Sequence, residues 1–137
     1  MPSNRYGRFL PAAEADRETP DWGQLAWLSR PATTGAKQLT VIEVTLAPGG
    51  GHDFHRHPRQ EEVIYVVAGQ VEQWLGPEKR VLKAGDSVYI HANQVHASFN
   101  VFKADAKVLA ILGPCAGEAG YELEDVSKQA PWKSLRT

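Results

Sequence analysis

Apolar and polar residues alternate through the middle of this chain with the period of a half-buried strand, not of a helix. Over residues 38–47, Ile42, Val44 and Leu46 fall on one face and Glu43 and Thr45 on the other, a pattern that predicts a strand. Further apolar runs follow at intervals of about 8 to 12 residues, each closed by Gly or Pro, which is the rhythm of an all-β sandwich or barrel. Residues 62–68 and 70–75 are expected to pair as a hairpin across Gly69, and Gly76-Pro77 turns the chain into a short strand over 80–82. Residues 87–90 and 96–99 are expected to form a second hairpin, and 107–112 a last strand before Gly113-Pro114 stops it. The cluster Pro48-Gly49-Gly50-Gly51 reads as a turn, because no GK[ST] follows and no helical period starts there.

The ends are different in character. Residues 1–35 form an arm rich in Pro, Ala, Arg and acid whose one apolar island holds Trp22 and Trp27. These tryptophans either cap the chain's own core or lie in a subunit interface, where aromatics concentrate. The tail over 115–137 is polar, with a short element expected over 121–126 and Pro131-Trp132 docking back.

Chemistry enters at His55-Arg56-His57-Pro58-Arg59-Gln60-Glu61-Glu62. On an extended strand, residues two apart project to the same side, so His55 and His57 face one point. Pro58 and the polar residues after it favour a bend that can swing Glu62 back toward the pair. Imidazole nitrogen and carboxylate oxygen, with no thiolate, suit zinc and the first-row transition metals rather than a structural cysteine-type zinc site. A second histidine-bearing stretch runs from Gly85 to Asn100 and carries His96 on its returning arm.

These two stretches resemble the cupins. The first cupin motif is Gly, five residues, His-x-His, three or four residues, Glu, six residues, Gly, and Gly49, His55, His57, Glu62 and Gly69 stand at those spacings. The second is Gly, five residues, Pro-x-Gly, two residues, His, three residues, Asn, and Gly85, His96 and Asn100 are in register. His91 and Asn93 replace its Pro and Gly. Asn tolerates a left-handed backbone better than other non-glycine residues, so Asn93 is expected to keep the turn; His91 is expected to be an exposed turn histidine.

The resemblance covers roughly residues 38–114 and implies a single-domain cupin jelly-roll β-barrel. It implies one divalent transition metal ion (iron, manganese, nickel, copper or zinc) held by His55, His57, Glu62 and His96. Two open positions on a six-coordinate metal would then take water, substrate or dioxygen. The leading expectation is a mononuclear enzyme of oxygenase type acting on a small organic substrate. A non-redox isomerase, lyase or decarboxylase and a non-catalytic binding or sensing module are the alternatives, since one fold hosts all three. Small cupins commonly pair, so a homodimer is implied. Strand parity from Glu62 turns Ile64 and Val66 inward and gives an apolar pocket, while parity from His96 makes Ser98 a candidate substrate contact or a small filler of barrel space. Parity also sends His52, three before His55, to the opposite face and into solvent. No Lys or Arg is placed beside the site, so a highly anionic substrate is not indicated, and no general base can be named.

Composition bounds the rest. The 137 residues make one domain by length. With 15 basic and 16 acidic side chains scattered to a net charge of -1, no basic stripe tracks a phosphate backbone, and nucleic acid is not an expected partner. No apolar run approaches the roughly 20 residues of a membrane helix and no signal-type segment follows Met1, so a cytoplasmic protein is expected. The one cysteine, Cys115, cannot form an internal disulfide, which fits a reducing compartment, and is read as a small thiol near the end of a core strand.

Overall fold

The alternation in residues 38–47 is realised as strand β3 (Thr40–Leu46), in which every second side chain is buried. In the computed structural model, which describes residues 5–136, the strands assemble into two facing antiparallel sheets, a jelly-roll β-barrel. The other strands are β1 (Asp16–Glu18), β2 (Gly23–Ser29), β4 (Gly51–Arg56), β5 (Glu61–Ala68), β6 (Gln70–Leu75), β7 (Glu78–Lys83), β8 (Ser87–Ile90), β9 (His96–Phe99), β10 (Ala106–Gly113) and β11 (Glu124–Asp125). One sheet runs β1-β2-β3-β10-β5-β8 and the other β11-β4-β9-β6-β7. The first four residues of the expected arm and the last of the tail lie outside the described residues. Among those described, no helix is long and apolar enough to cross a membrane.

Two expected hairpins are not hairpins. β5 and β6 belong to different sheets: β5 pairs with β8 and β10, and β6 with β7 and β9. Gly69, at φ +76° with the Asp105 carbonyl 2.4 Å from where a Cβ would sit, takes the chain from one sheet to the other. β8 and β9 likewise part, β8 joining β5 and β9 lying between β4 and β6. Period-two alternation fixes which side chains face inward but not which strand lies alongside, so each segment was placed correctly and its partner was not. The Gly76-Pro77 turn does close a hairpin, β6 with β7, in register from Gln70 opposite Lys83 to Leu75 opposite Glu78.

The arm takes part in the sheet. β2 pairs along β3, and Trp27 is buried in the chain's own core beside Leu25, Ile42, Leu46, Val108 and Leu112. Ile64 and Val66 point into this core, as parity from Glu62 requires. A second apolar cluster lies on the outer side of the other sheet, where Phe54, Trp74, Ala97, Phe99 and Val126 are covered by Trp132 and Leu135 of the tail. That cover explains why all four residues of β9 are buried: His96 and Ser98 face the barrel and Ala97 and Phe99 face the tail.

Candidate metal centre

The site forms where β4, the start of β5 and the start of β9 meet. His55 of β4 lies directly across from His96 of β9, His57 follows at the end of β4, and Glu62 opens β5. A ligand atom from each of His55, His57 and His96 lies within 4.8 Å of the other two, and all three side chains are buried. Glu62, also buried, sets its Oε1 2.8 Å from His96 Nε2 and 3.3 Å from His57 Nε2. The four residues selected in the sequence are therefore brought together.

The hydrogen bonds behind the rings decide which nitrogen faces inward. His55 Nδ1 donates to the Asp53 carbonyl at 2.6 Å, His57 Nδ1 to the Glu122 carbonyl at 2.7 Å, and His96 Nδ1 to the Gln94 carbonyl at 2.9 Å. A carbonyl only accepts, so each Nδ1 carries the proton and each Nε2 is left with a lone pair. This is the arrangement in which a metal-binding imidazole is oriented from behind. At the centre, Glu62 Oε1 and His96 Nε2 are buried 2.8 Å apart and neither has a hydrogen-bond partner among the described residues, both being acceptors once the ring proton sits on Nδ1. Buried polar atoms are rarely left in this way, and a divalent cation between them would satisfy both. His55, His57 and His96 form a cluster that could hold a metal ion.

Electrostatics agree with that reading. Burial alone would raise the Glu62 pKa, but the contacts with His57 and His96 outweigh it and hold the carboxyl well below its ordinary range. Burial pushes His55 well below the usual imidazole value, and the neighbouring rings of His52, His96 and His57 push it further. For His96, burial is overcome by Glu62, which raises it.

Beside the cluster lies a small cavity of about 80 Å³, walled by Leu25, Ile42, Val44, Ala110 and Leu112 and by Trp22, His52 and Tyr121. The apolar lining agrees with expectation, though Ile64 and Val66 are not part of it. No Lys or Arg lines it. His52 is a correction. β4 carries one extra residue between His52, opposite Ser98, and His55, opposite His96, and this bulge reverses the parity expected from simple alternation. His52 therefore turns inward, half-buried, with its ring stacked on His55 at 3.7 Å and on Trp22 at 5.1 Å. Burial lowers its pKa to about 4 despite Glu62 nearby. Ser98 faces the barrel but donates to Gln73 Oε1 at 2.6 Å, away from the cavity. His91 is exposed and Asn93 adopts φ +68°, as expected for each, and the Asn93 N–H donates to the His57 carbonyl.

The Cupin domain family model matches residues 42–112, the segment that holds all four of these side chains. The chain belongs to the cupin family. This cupin is 30% identical over 124 residues to the polyketide synthase CurC of Streptomyces cyaneus, covering 90% of this chain and 79% of that protein. It is 34% identical over 82 residues to the pectin degradation protein KdgF of Dickeya dadantii, covering 59% of this chain and 74% of that one. Among solved structures, KdgF from a Halomonas species superposes with a TM-score of 0.72 at 24% identity, over 82% of this chain and 98% of that one. That last likeness is one of fold.

Two polar residues essential to this arrangement were not singled out in the sequence. Tyr121, in the tail, supplies part of the cavity wall. Gln60 is buried and its amide binds three backbone groups beyond the end of β10: Nε2 donates to the carbonyls of Pro114 at 2.7 Å and Gly120 at 2.9 Å, and Oε1 accepts from Glu122 N–H at 3.0 Å. Only the fact that a glutamine sits beside the motif glutamate was visible beforehand.

Proposed function

We propose that this cupin is a mononuclear metalloenzyme, with His55, His57, Glu62 and His96 as the ligands, acting on a small, uncharged, enolisable carbonyl or phenolic substrate. The observation that carries this is the pair of buried, unsatisfied atoms, Glu62 Oε1 and His96 Nε2, with Glu62, His55 and His57 lining the adjoining apolar cavity. Bound there, a divalent metal would polarise a carbonyl oxygen or, if redox-active, support dioxygen chemistry. The chain's own part is to hold three Nε2 lone pairs and one carboxylate at fixed positions, to keep water scarce with Leu25, Val44 and Leu112, and to offer substrate a wall without Lys or Arg.

The non-redox class is the better supported. A polyketide, the material in the name of one relative, is a carbonyl- and hydroxyl-bearing carbon skeleton, and the cavity wall carries protic side chains. The oxygenase type keeps one observation in its favour, the apolar lining that would admit dioxygen. We further propose that the protein acts as a homodimer, a reading supported by the exposed Tyr65, Val67 and Tyr89 on the outer face of the larger sheet. The free Cys115 suits a reducing compartment such as the cytoplasm.

Elemental analysis of wild-type protein beside His57→Ala and His96→Ala tests the ligand set. Near-stoichiometric metal in the wild type that falls sharply in both variants, with the barrel still folded by circular dichroism, is expected. No metal in the wild type, even after reconstitution, overturns the reading. Oxygen uptake with small β-diketones by iron-loaded but not zinc-loaded protein would select the oxygenase type over the non-redox class.

A further inference from the structure

The cavity contains two side chains whose polar atoms have no protein partner. Neither the Tyr121 hydroxyl nor either ring nitrogen of His52 makes a hydrogen bond to any described residue, although both side chains line the cavity. Thr40 is engaged with Gly120, Gln60 with the tail, Ser98 with Gln73, and Asn100 with Leu46 and Ala104, whereas Glu62 Oε1 in the cavity and Trp27 Nε1 beside Tyr121 are unpaired as well. A few unpaired polar groups in an otherwise apolar pocket are what fixes a ligand's orientation.

Both groups are held rigidly. The two faces of the His52 ring are covered, one by Trp22 with the planes 10° apart and the other by His55 at 15°, so only the ring edge is free. Tyr121 is clamped through the peptide groups on either side of it. The Gly120 carbonyl accepts from Thr40 Oγ1 at 2.6 Å and Gln60 Nε2 at 2.9 Å, and Glu122 donates its N–H to Gln60 Oε1 while its carbonyl accepts from His57 Nδ1–H. The ring itself packs at a tilt against Trp27 at 5.2 Å and His57 at 5.6 Å. One glutamine thus sets Tyr121 and steadies the carbonyl that orients a candidate ligand.

We propose that Tyr121 and His52 are the substrate-orienting pair of this site: the Tyr121 hydroxyl donates to one oxygen of a small neutral dioxygenated molecule, and the free edge of His52 bonds a second. The inference deepens the metalloenzyme reading and rests on it for the identity of the site. It adds the recognition element that reading lacks, since the aliphatic walls distinguish size but not oxygen pattern.

The test titrates 4-nitrocatechol, a small planar probe with two adjacent oxygens, into metal-loaded wild type, Tyr121→Phe and His52→Phe at a pH below the probe's first ionisation, where it is neutral. Binding is followed by the probe's absorbance and by tryptophan fluorescence, and metal content is measured on the same samples. Phe at 121 removes only the hydroxyl, and Phe at 52 keeps an aromatic ring between Trp22 and His55 while removing both ring nitrogens. Each variant is expected to keep its metal and melting temperature while binding the probe about five- to tenfold more weakly, with a shifted absorbance maximum for the bound probe. Equal affinity in all three proteins, or no binding by the wild type, overturns the pair. Failure of the metal reading is distinguishable: if the wild type takes up no metal, the same titration on metal-free protein still compares the three, and the same weakening supports the pair whereas equal affinity overturns it.

Discussion

Replacing Gln60 by Met keeps nearly the same volume in the same buried position and removes all three hydrogen bonds of the amide. The Gly120 carbonyl keeps Thr40 as a partner, so the groups left stranded are the Pro114 carbonyl and the Glu122 N–H. At about 1–1.5 kcal/mol for each buried group deprived of its partner, the expected loss is about 2–3 kcal/mol. For a chain of this length that lowers the melting temperature by on the order of 8 °C. A second effect follows from the first, because the carbonyl that accepts the His57 Nδ1–H hydrogen bond belongs to Glu122, the residue whose N–H Gln60 anchors. Loosening it should weaken metal affinity about tenfold, the usual scale for losing a group that orients a ligand histidine. Urea denaturation of the metal-free protein measures the first effect and competition with a chromophoric chelator the second. Arg59→Ala, which removes the exposed ion pair to the Glu122 side chain, is the control and should change little in either assay. A Gln60→Met variant within 0.5 kcal/mol of wild type, or one that loses stability but binds metal as tightly, would refute the proposed link between tail and site.

Two further outcomes are expected. His52 titrates near 4 in the fold because of burial and near 6.5 when unfolded; between those values the unfolded chain binds the extra proton, so metal-free protein loses stability as pH falls from 6.5 toward 4. His96, raised by Glu62, acts in the opposite sense, so the informative comparison is His52→Phe, whose stability should fall less steeply than wild type across that window; parallel curves would show that His52 is not buried as a neutral ring. Trp132→Ala removes the ring packed 5.5 Å from Phe54 over the outer face of the smaller sheet and should cost about 1–2 kcal/mol without altering metal content, both read in one denaturation and elemental-analysis series.

The inward-facing residues of the barrel were legible because burial on one face leaves a period-two signature wherever the strand is regular. β3 and β10 alternate along their whole length; strand and turn geometry grouped His55 and His57 with Glu62, and the resemblance to the cupin motifs added His96. What period alone does not carry is sheet membership. β5 and β6 are separated by a single residue, Gly69, which suggests a hairpin to any local reading. Only the competition among non-local partners sends β5 to β10 and β6 to β9. β9 also hides its second apolar face from such a reading, because the residues that cover Ala97 and Phe99 lie some thirty positions further along the chain.

His52 and Tyr121 were missed for two distinct physical reasons that converge on one conclusion. A bulge adds one residue to β4, and a single added residue exchanges the two faces of everything beyond it; counting back from His55 without it places an inward ring in solvent. Tyr121 lies in a polar stretch with no period at all, held in place by a glutamine some sixty residues earlier. In both cases the framework that positions the candidate metal ligands is regular and therefore readable, while the groups that face the cavity depend on irregular backbone. Regular strands must satisfy their ladders before they satisfy anything else, so a site that needs side chains aimed off the pleat has to draw them from bulges and tails. The same motif spacings can therefore sit under different cavity walls. Substrate preference in this cupin should follow substitutions at His52, Tyr121 and their support Gln60 more closely than substitutions along the strands that carry the histidines.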